Sequence, residues 1–290
     1  IRRVTMGKIQ DYINNIHKLA KLCHSYNTEI AIDAAQMVAH MPINMNPPNK
    51  DEAIDFLFFS AHKMYAPFGI GVLIAPTQCL KTNCPERSGG GTVNVVTHDK
   101  VVWAELPFKE EAGSPNSVGT AALITAIETL QNIGLITIHA LETKLTEYAF
   151  KKLKDVKDII LYGDIDNVSD RVGIIPFNIQ GIYHEDLAYM LSMKAGIAVR
   201  NGCFCAHPYL HKLLNVDESE IERRITDINL PHPGMVRLSF GLYNTKDEID
   251  ELIDYLSTVK NNHKLDLDKI REYRSKSNLK LKTHRQITCF

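Results

Sequence analysis

The feature that most restricts this chain is a set of apolar runs that do not alternate and that end on polar residues. Glu29-Ile30-Ala31-Ile32 ends at Asp33, Ile54-Asp55-Phe56-Leu57-Phe58-Phe59 ends at Ser60, and Ile70-Gly71-Val72-Leu73-Ile74 follows a Pro-Phe-Gly turn. A strand with one wet face alternates, whereas near-continuous runs read as strands covered on both faces of an α/β sheet. Helical stripes lie between these runs. Ile9, Ile13, Ile16, Leu19, Ala20 and Cys23 fall on one face, so residues 9–23 read as an amphipathic helix with no strand before it. Helix and strand in repetition imply a parallel or mixed sheet.

Residues 80–116 read as loop, with Gly89-Gly90-Gly91 and Ser114-Pro115-Asn116 as breakers. A long helix is expected from about residue 118 to 153, interrupted at Gly134. The texture then changes. Residues 172–179 read as a strand, 185–194 as a helix closed by Gly196, 197–199 and 235–240 as strands, and 246–259 as a helix. Residues 212–233 read as an insertion or surface segment. The expected organisation is a large α/β domain over 1–136, a smaller α+β domain over 137–260 and a tail over 261–290.

Composition removes several function classes. With 44% hydrophobic and 23% charged residues, the chain is neither disordered nor fibrous. A net charge of −1 gives no bulk field to recruit nucleic acid or a membrane surface. The charge is uneven, because residues 260–290 carry nine Lys/Arg against three acids, a +6 tail on a −7 remainder. A solvated helical tail and a docking site for an acidic partner both fit that pattern. Six cysteines are too few for a disulfide scaffold of this size, so free thiols in a reducing, cytoplasmic compartment are expected. The most apolar stretch, 54–76, is cut by His62 and Lys63 and is no membrane span.

Three polar clusters stand where strands end, the place where open α/β sheets bind ligands. They are Asp33-Ala-Ala-Gln36, Ser60-Ala-His62-Lys63, and Arg200-Asn-Gly-Cys-Phe-Cys205-Ala-His-Pro208. Lys63 alone fits a snorkelling strand-end cation as well as a desolvated amine able to form a Schiff base. Asp33 alone fits a turn or N-cap. Together they suit pyridoxal phosphate, whose pyridine nitrogen needs a carboxylate to hold its proton. Gln36 could donate to the ring's phenolic oxygen, and Ser60 and His62 to the phosphate.

Over the segments DAAQ (33–36), SAHKMYAPFGIGVL (60–73), GGGTV (89–93), EAGSPNSVGTAAL (111–123), RNGCFCAHP (200–208) and VRLSFGLYNTKDEID (236–250), the chain resembles the class V aminotransferase family of fold-type I pyridoxal phosphate enzymes. Within it, the look is that of the cysteine desulfurase and selenocysteine lyase group, and the resemblance covers most of residues 1–255. It implies that Lys63 carries the cofactor, with Asp33 on the pyridine nitrogen, Gln36 on the phenolic oxygen, and Ser60 and His62 on the phosphate. Gly113 and Ser114 match positions that reach the phosphate of a neighbouring subunit's cofactor, which implies a homodimer. Arg237 matches the arginine that grips the α-carboxylate of an amino acid substrate, with Arg200 at the mouth of the site. Cys205 matches the nucleophile that leaves as a persulfide, for which a sulfur-acceptor protein is the implied partner.

The chain departs from the family in two places. Cys203-Phe204 stands where family desulfurases carry a histidine pair, which also admits an aminotransferase, an epimerase or another lyase. Cys203, Cys205 and His207 make a poor tetrahedral set, so no metal is expected. The segment that the family places before residue 1, with its ring-stacking residue and several strands, is not in this sequence, and His24 and His40 are not placed to substitute. The expectation is a piece of a longer enzyme, a chain whose missing part another chain provides, or a non-catalytic chain.

Overall fold

The computed structural model describes residues 2–5, 13–81, 84–168, 171–227, 230–259 and 272. The basic tail, Cys289 and the start of the helix expected over 9–23 lie outside the described residues. The chain divides into two compact units, with the boundary between His139 and Ala140.

In the first unit, β1 (Arg2–Thr5), β2 (Ile30–Asp33) and β3 (Phe56–Ser60) run parallel, and β4 (Gly71–Ile74) closes the edge antiparallel to β3. α1 (Ile16–Ser25) crosses from β1 to β2. Asn15 begins it by accepting a hydrogen bond from the Lys18 N–H at 2.9 Å, and Ile16 and Ala20 are its buried face. β1 corrects the expectation that no strand precedes this helix. Arg-Arg-Val-Thr has no apolar run to announce a strand, and its pairing with Ile30–Asp33, far along the chain, makes it one. β2 is buried along Ile30, Ala31 and Ile32, as its apolar run requires. β4 is not, since Leu73 is 60% and Ile74 44% exposed; an apolar run here marks an edge strand.

The unit continues with α2 (Thr77–Lys81), the hairpin β5 (Val93–Val96) and β6 (Val101–Trp103), and α3 (Ser117–Ile133). The hairpin lies in the stretch expected to be loop. Its strands are short and mostly exposed, and its turn is held by Thr97, whose hydroxyl accepts from the Asp99 and Lys100 N–H groups. Gly134, at φ 90°, ends α3, and α4 (Leu135–Leu153) begins immediately, so the interruption falls where the sequence placed it.

The second unit, from Ala140, carries the rest of α4, then β7 (Ile159–Leu161), β8 (Ile174–Ile179), α5 (His184–Ala195), β9 (Arg200–Gly202), α6 (His207–Leu213), α7 (Glu218–Thr226), β10 (Met235–Ser239) and a helix over residues 246–259, α8. Its sheet has the order β7-β8-β10-β9 and is antiparallel throughout. α4, α5 and α8 bury one core on it, built from Leu145, Phe150, Phe177, Leu187, Val236 and Leu252 among others. Gly196, in the left-handed region at φ 66°, closes α5. Thr245 and Glu248 open α8 reciprocally: the Thr245 N–H donates to Glu248 Oε2 at 2.9 Å, and the Glu248 N–H reaches Thr245 Oγ1 at 3.4 Å. The strand expected at 197–199 lies three residues later, because Ile197 and Val199 pack against the core as connectors while Arg200–Gly202 take the ladder to β10. α7 buries no residue, as befits a surface segment. Among the described residues, no single helix is long and apolar enough to cross a membrane.

Two stability predictions follow from this packing. Phe177 is fully buried in central strand β8, so Phe177→Ala should cost about 3–5 kcal/mol in urea unfolding. In the first unit, Asp55 Oδ2 accepts from the Ile30 N–H at 2.8 Å and pairs with His24 Nε2 at 3.0 Å. The Asp55 hydrogen bond raises the His24 pKa above its ordinary value of 6.5. This pairing therefore stabilises below that value and is lost as pH rises through the raised pKa. Melting curves of His24→Gln should lack that pH-dependent loss, and an unchanged profile would count against it.

Candidate active site

In the first unit the site is a loop closed at the carboxyl ends of two parallel strands. Asp33 of β2 pairs in register with Phe58 of β3, so Asp33 and the residues after Ser60 leave the same edge of the sheet. One Asp33 carboxylate oxygen accepts from the Ala35 N–H at 3.1 Å, fixing the turn that carries Gln36. Both Asp33 and Gln36 are half-buried.

β3 runs into a single 3₁₀ turn, Ala61–Met64, which carries the exposed His62 and the half-buried Lys63. The Ser60 hydroxyl makes no capping bond to that turn, although serine at this position usually caps. The loop beyond is tightly bent. Tyr65 and Phe68, at φ 62° and 75°, sit in a region that non-glycine residues avoid, followed by Gly69 at 66°. It is closed at its base by the Ala61 N–H on the Ile70 carbonyl at 2.9 Å and by the Ser60–Gly71 pairing.

Asn116 holds the loop from the other side. Its Nδ2 donates to the Phe68 carbonyl at 2.6 Å, while its Oδ1 accepts from the Gly119 N–H at 2.9 Å and caps α3. The cap folds so closely over the helix that a Cβ on Gly119 would stand 2.7 Å from Asn116 Nδ2. α3 packs against the Ala61–Met64 turn, so Gly113 and Ser114 lie on the exposed strand of chain leading to that helix. Gly113, at φ 92°, is tied to the glycine loop by its N–H on the Gly90 carbonyl at 2.9 Å. The structure thus gathers Asp33, Gln36, Ser60, His62 and Lys63 at one sheet edge. It also adds Asn116, which the sequence reading left inside a loop; an asparagine directly before a helical run is the signal that could have found it.

The second unit holds the arginines and the cysteine. Val236 and Leu238 of β10 point into the core, so Met235, Arg237 and Ser239 take the opposite face. Arg200 of β9 stands directly across from Arg237, so two cations share one face of the sheet. Like charges directly opposite one another are unfavourable, and an anion lying across both relieves the repulsion.

From Gly202 the chain turns sharply. The Ala206 N–H donates to the Cys203 carbonyl at 2.9 Å, and Phe204 and Cys205 between them have φ of 51° and 59°. Two left-handed central residues make a type I′ turn, a conformation built for Asn and Gly rather than Phe and Cys. This turn holds Cys205 exposed at its tip. Cys203 is different: its thiol donates to the Pro233 carbonyl at 3.2 Å, and burial pushes its pKa up. The Phe204 ring lies under Arg237, with the guanidinium carbon 4.9 Å from the ring centroid. Among the described residues, no group of three His, Cys, Asp or Glu could hold a metal ion, and the five cysteines described are free thiols.

An α/β unit with a mixed sheet, followed along the chain by an antiparallel α+β unit, is the make-up of the fold-type I class. The chain belongs to the class V aminotransferase family, whose description, "Aminotransferase class-V", matches residues 7–252. It is similar to a probable cysteine desulfurase of Staphylococcus aureus, at 37% identity over 80% of this chain and 50% of that protein. It is also 32% identical to a cysteine desulfurase of Haloferax volcanii, over 86% of this chain and 53% of that protein. Among solved structures, the apo cysteine desulfurase of Thermococcus onnurineus superposes with a TM-score of 0.77 at 30% identity, covering 89% of this chain and 59% of that one. The Escherichia coli cysteine desulfurase CsdA gives 0.74 at 27%, covering 90% and 59%. The chain spans about half the length of the curated relatives it matches.

Asn116→Ala should remove a helix cap worth about 1 kcal/mol and release the Phe68 carbonyl. The expected outcome is a lowered melting temperature together with weakened pyridoxal phosphate binding, read by absorbance titration. Cofactor binding at wild-type strength would mean that the tether does not shape the loop.

Proposed function

We propose that this chain works in a pyridoxal phosphate-dependent cysteine desulfurase, removing sulfur from L-cysteine to give L-alanine. The observation that carries the reading is the exposed Cys205 on a strained turn, one residue from the ring beneath Arg237, which itself pairs across the sheet with Arg200. A sulfur-transferring nucleophile needs exposure and a fixed position, and a guanidinium suits an amino acid carboxylate.

The residues of the first unit fit the cofactor. Lys63 supplies the attaching amine, the Asp33 carboxylate holds the proton on the pyridine nitrogen, Gln36 donates to the phenolic oxygen, and the uncommitted Ser60 hydroxyl and exposed His62 suit a phosphate. When bound, the cofactor supplies an electron sink for the pair released at the substrate's reacting carbons. Arg237 and Arg200 orient the substrate by its α-carboxylate. The Cys205 thiolate attacks the substrate sulfur; an S–S bond forms and the Cβ–S bond breaks, its electron pair going to carbon, which takes up a proton. L-cysteine and one thiol become L-alanine and a Cys205 persulfide. A sulfur-acceptor protein then discharges the persulfide, and a second copy of the chain brings its Gly113 and Ser114 to the phosphate.

Adding L-cysteine to the cofactor-loaded chain under reducing conditions should release sulfide and alanine in equal amounts. Cys205→Ala should lower sulfide release by more than about a hundredfold, as for loss of a nucleophile, while the cofactor's absorbance is retained. Sulfide release surviving in Cys205→Ala would remove the desulfurase assignment; Lys63→Ala should abolish both activity and the bound-cofactor band.

A further inference from the structure

We propose that Phe204 is a positioning residue that ties the carboxylate-binding Arg237 to the turn carrying Cys205. The proposal rests on the desulfurase reading for its purpose, but not for its geometry. Three observations converge on this ring. It stands between Cys203 and Cys205 as the first of two left-handed residues, so the backbone that presents the Cys205 thiol runs through it. Its face meets the Arg237 guanidinium at 4.9 Å. Half-buried, it also packs, with Cys203, Leu213 and Leu214, on the buried pair Leu210 and Met235, a small cluster separate from the main core.

A phenylalanine gains nothing from a left-handed backbone, which is strained for a non-glycine residue. Something must hold it there, and the ring meets a cation on one side and an apolar cluster on the other. A planar guanidinium stacks on an aromatic face while leaving its N–H edge directed outward. The stack therefore fixes Arg237 in the plane from which it can grip a carboxylate with two parallel bonds, and it fixes the turn from which Cys205 emerges. The cysteine tip and the carboxylate clamp become one rigid piece. Cys203 completes the support by anchoring the start of the turn to Pro233, itself beside Pro231, whose carbonyl accepts from Arg224 of α7 at 2.8 Å.

The test reads turn rigidity directly, by the rate at which iodoacetamide alkylates Cys205 in the full chain, with the site of alkylation assigned by peptide mass spectrometry. Phe204→Leu should raise that rate about three- to fivefold. Arg237→Leu, which leaves the ring in place, should do the same. The double variant should alkylate no faster than either single one, because both remove one interaction. Phe204→Tyr keeps the face and should restore the wild-type rate. In the cofactor-loaded chain, Phe204→Leu should raise KM for L-cysteine by a similar factor. Single variants that alkylate at the wild-type rate, or whose effects multiply in the double, overturn the proposal. The coupled alkylation pattern in a protein whose Cys205→Ala variant still releases sulfide overturns the desulfurase reading and leaves the stack standing.

Discussion

The parallel pairing of β2 with β3 is the constraint on which the first unit depends. It aligns Asp33 with Phe58, so two strands finish at one edge of the sheet and release their next residues into the same space. A strand that ends in a bond to its neighbour leaves its following backbone groups to be satisfied elsewhere. Here the Ala34 N–H goes to the Phe58 carbonyl and the Ala61 N–H to the Ile70 carbonyl, so the loop bearing Lys63 is stitched to the sheet on both sides. Placement of Lys63 thus follows from ladder geometry before any ligand is considered.

The second unit solves a different problem by period-two geometry. β10 must bury Val236 and Leu238 in the core, so Arg237 has no choice of face, and β9 sets Arg200 against it. Two cations in that relation are unfavourable, and the Phe204 ring offers Arg237 an aromatic face. The departure from the family's histidine pair is therefore structurally coherent, since a ring occupies the position and its face is used.

Much of this was legible beforehand where a local signal marks the place. Gly134 and Gly196 announced helix ends, and the apolar runs before Asp33 and Ser60 announced β2 and β3, because capping and burial are written in nearby residues. The illegible parts depend on distant partners. β1 is two arginines, a valine and a threonine that become a strand only against Ile30–Asp33. β9 is Arg-Asn-Gly, a poor strand by composition, fixed by β10; the apolar Ile197 and Val199 beside it look like the better strand but serve packing. The short exposed hairpin β5–β6 offers too few buried side chains to leave a pattern. At the site, residue types were readable from their clusters, but the coupling of Phe204 to Arg237 and of Asn116 to Phe68 exists only once the chain has folded.

The clearance beneath Asn116 carries a consequence of its own. One amide spans from the first turn of α3 to a carbonyl in the lysine loop, and the absence of a methyl group at residue 119 is what lets it lie flat. A change as small as Gly119→Ala, some fifty positions along the chain from Lys63, would lever the amide away from Phe68. The disturbance would reach the loop that carries Lys63 although no residue of that loop had been altered.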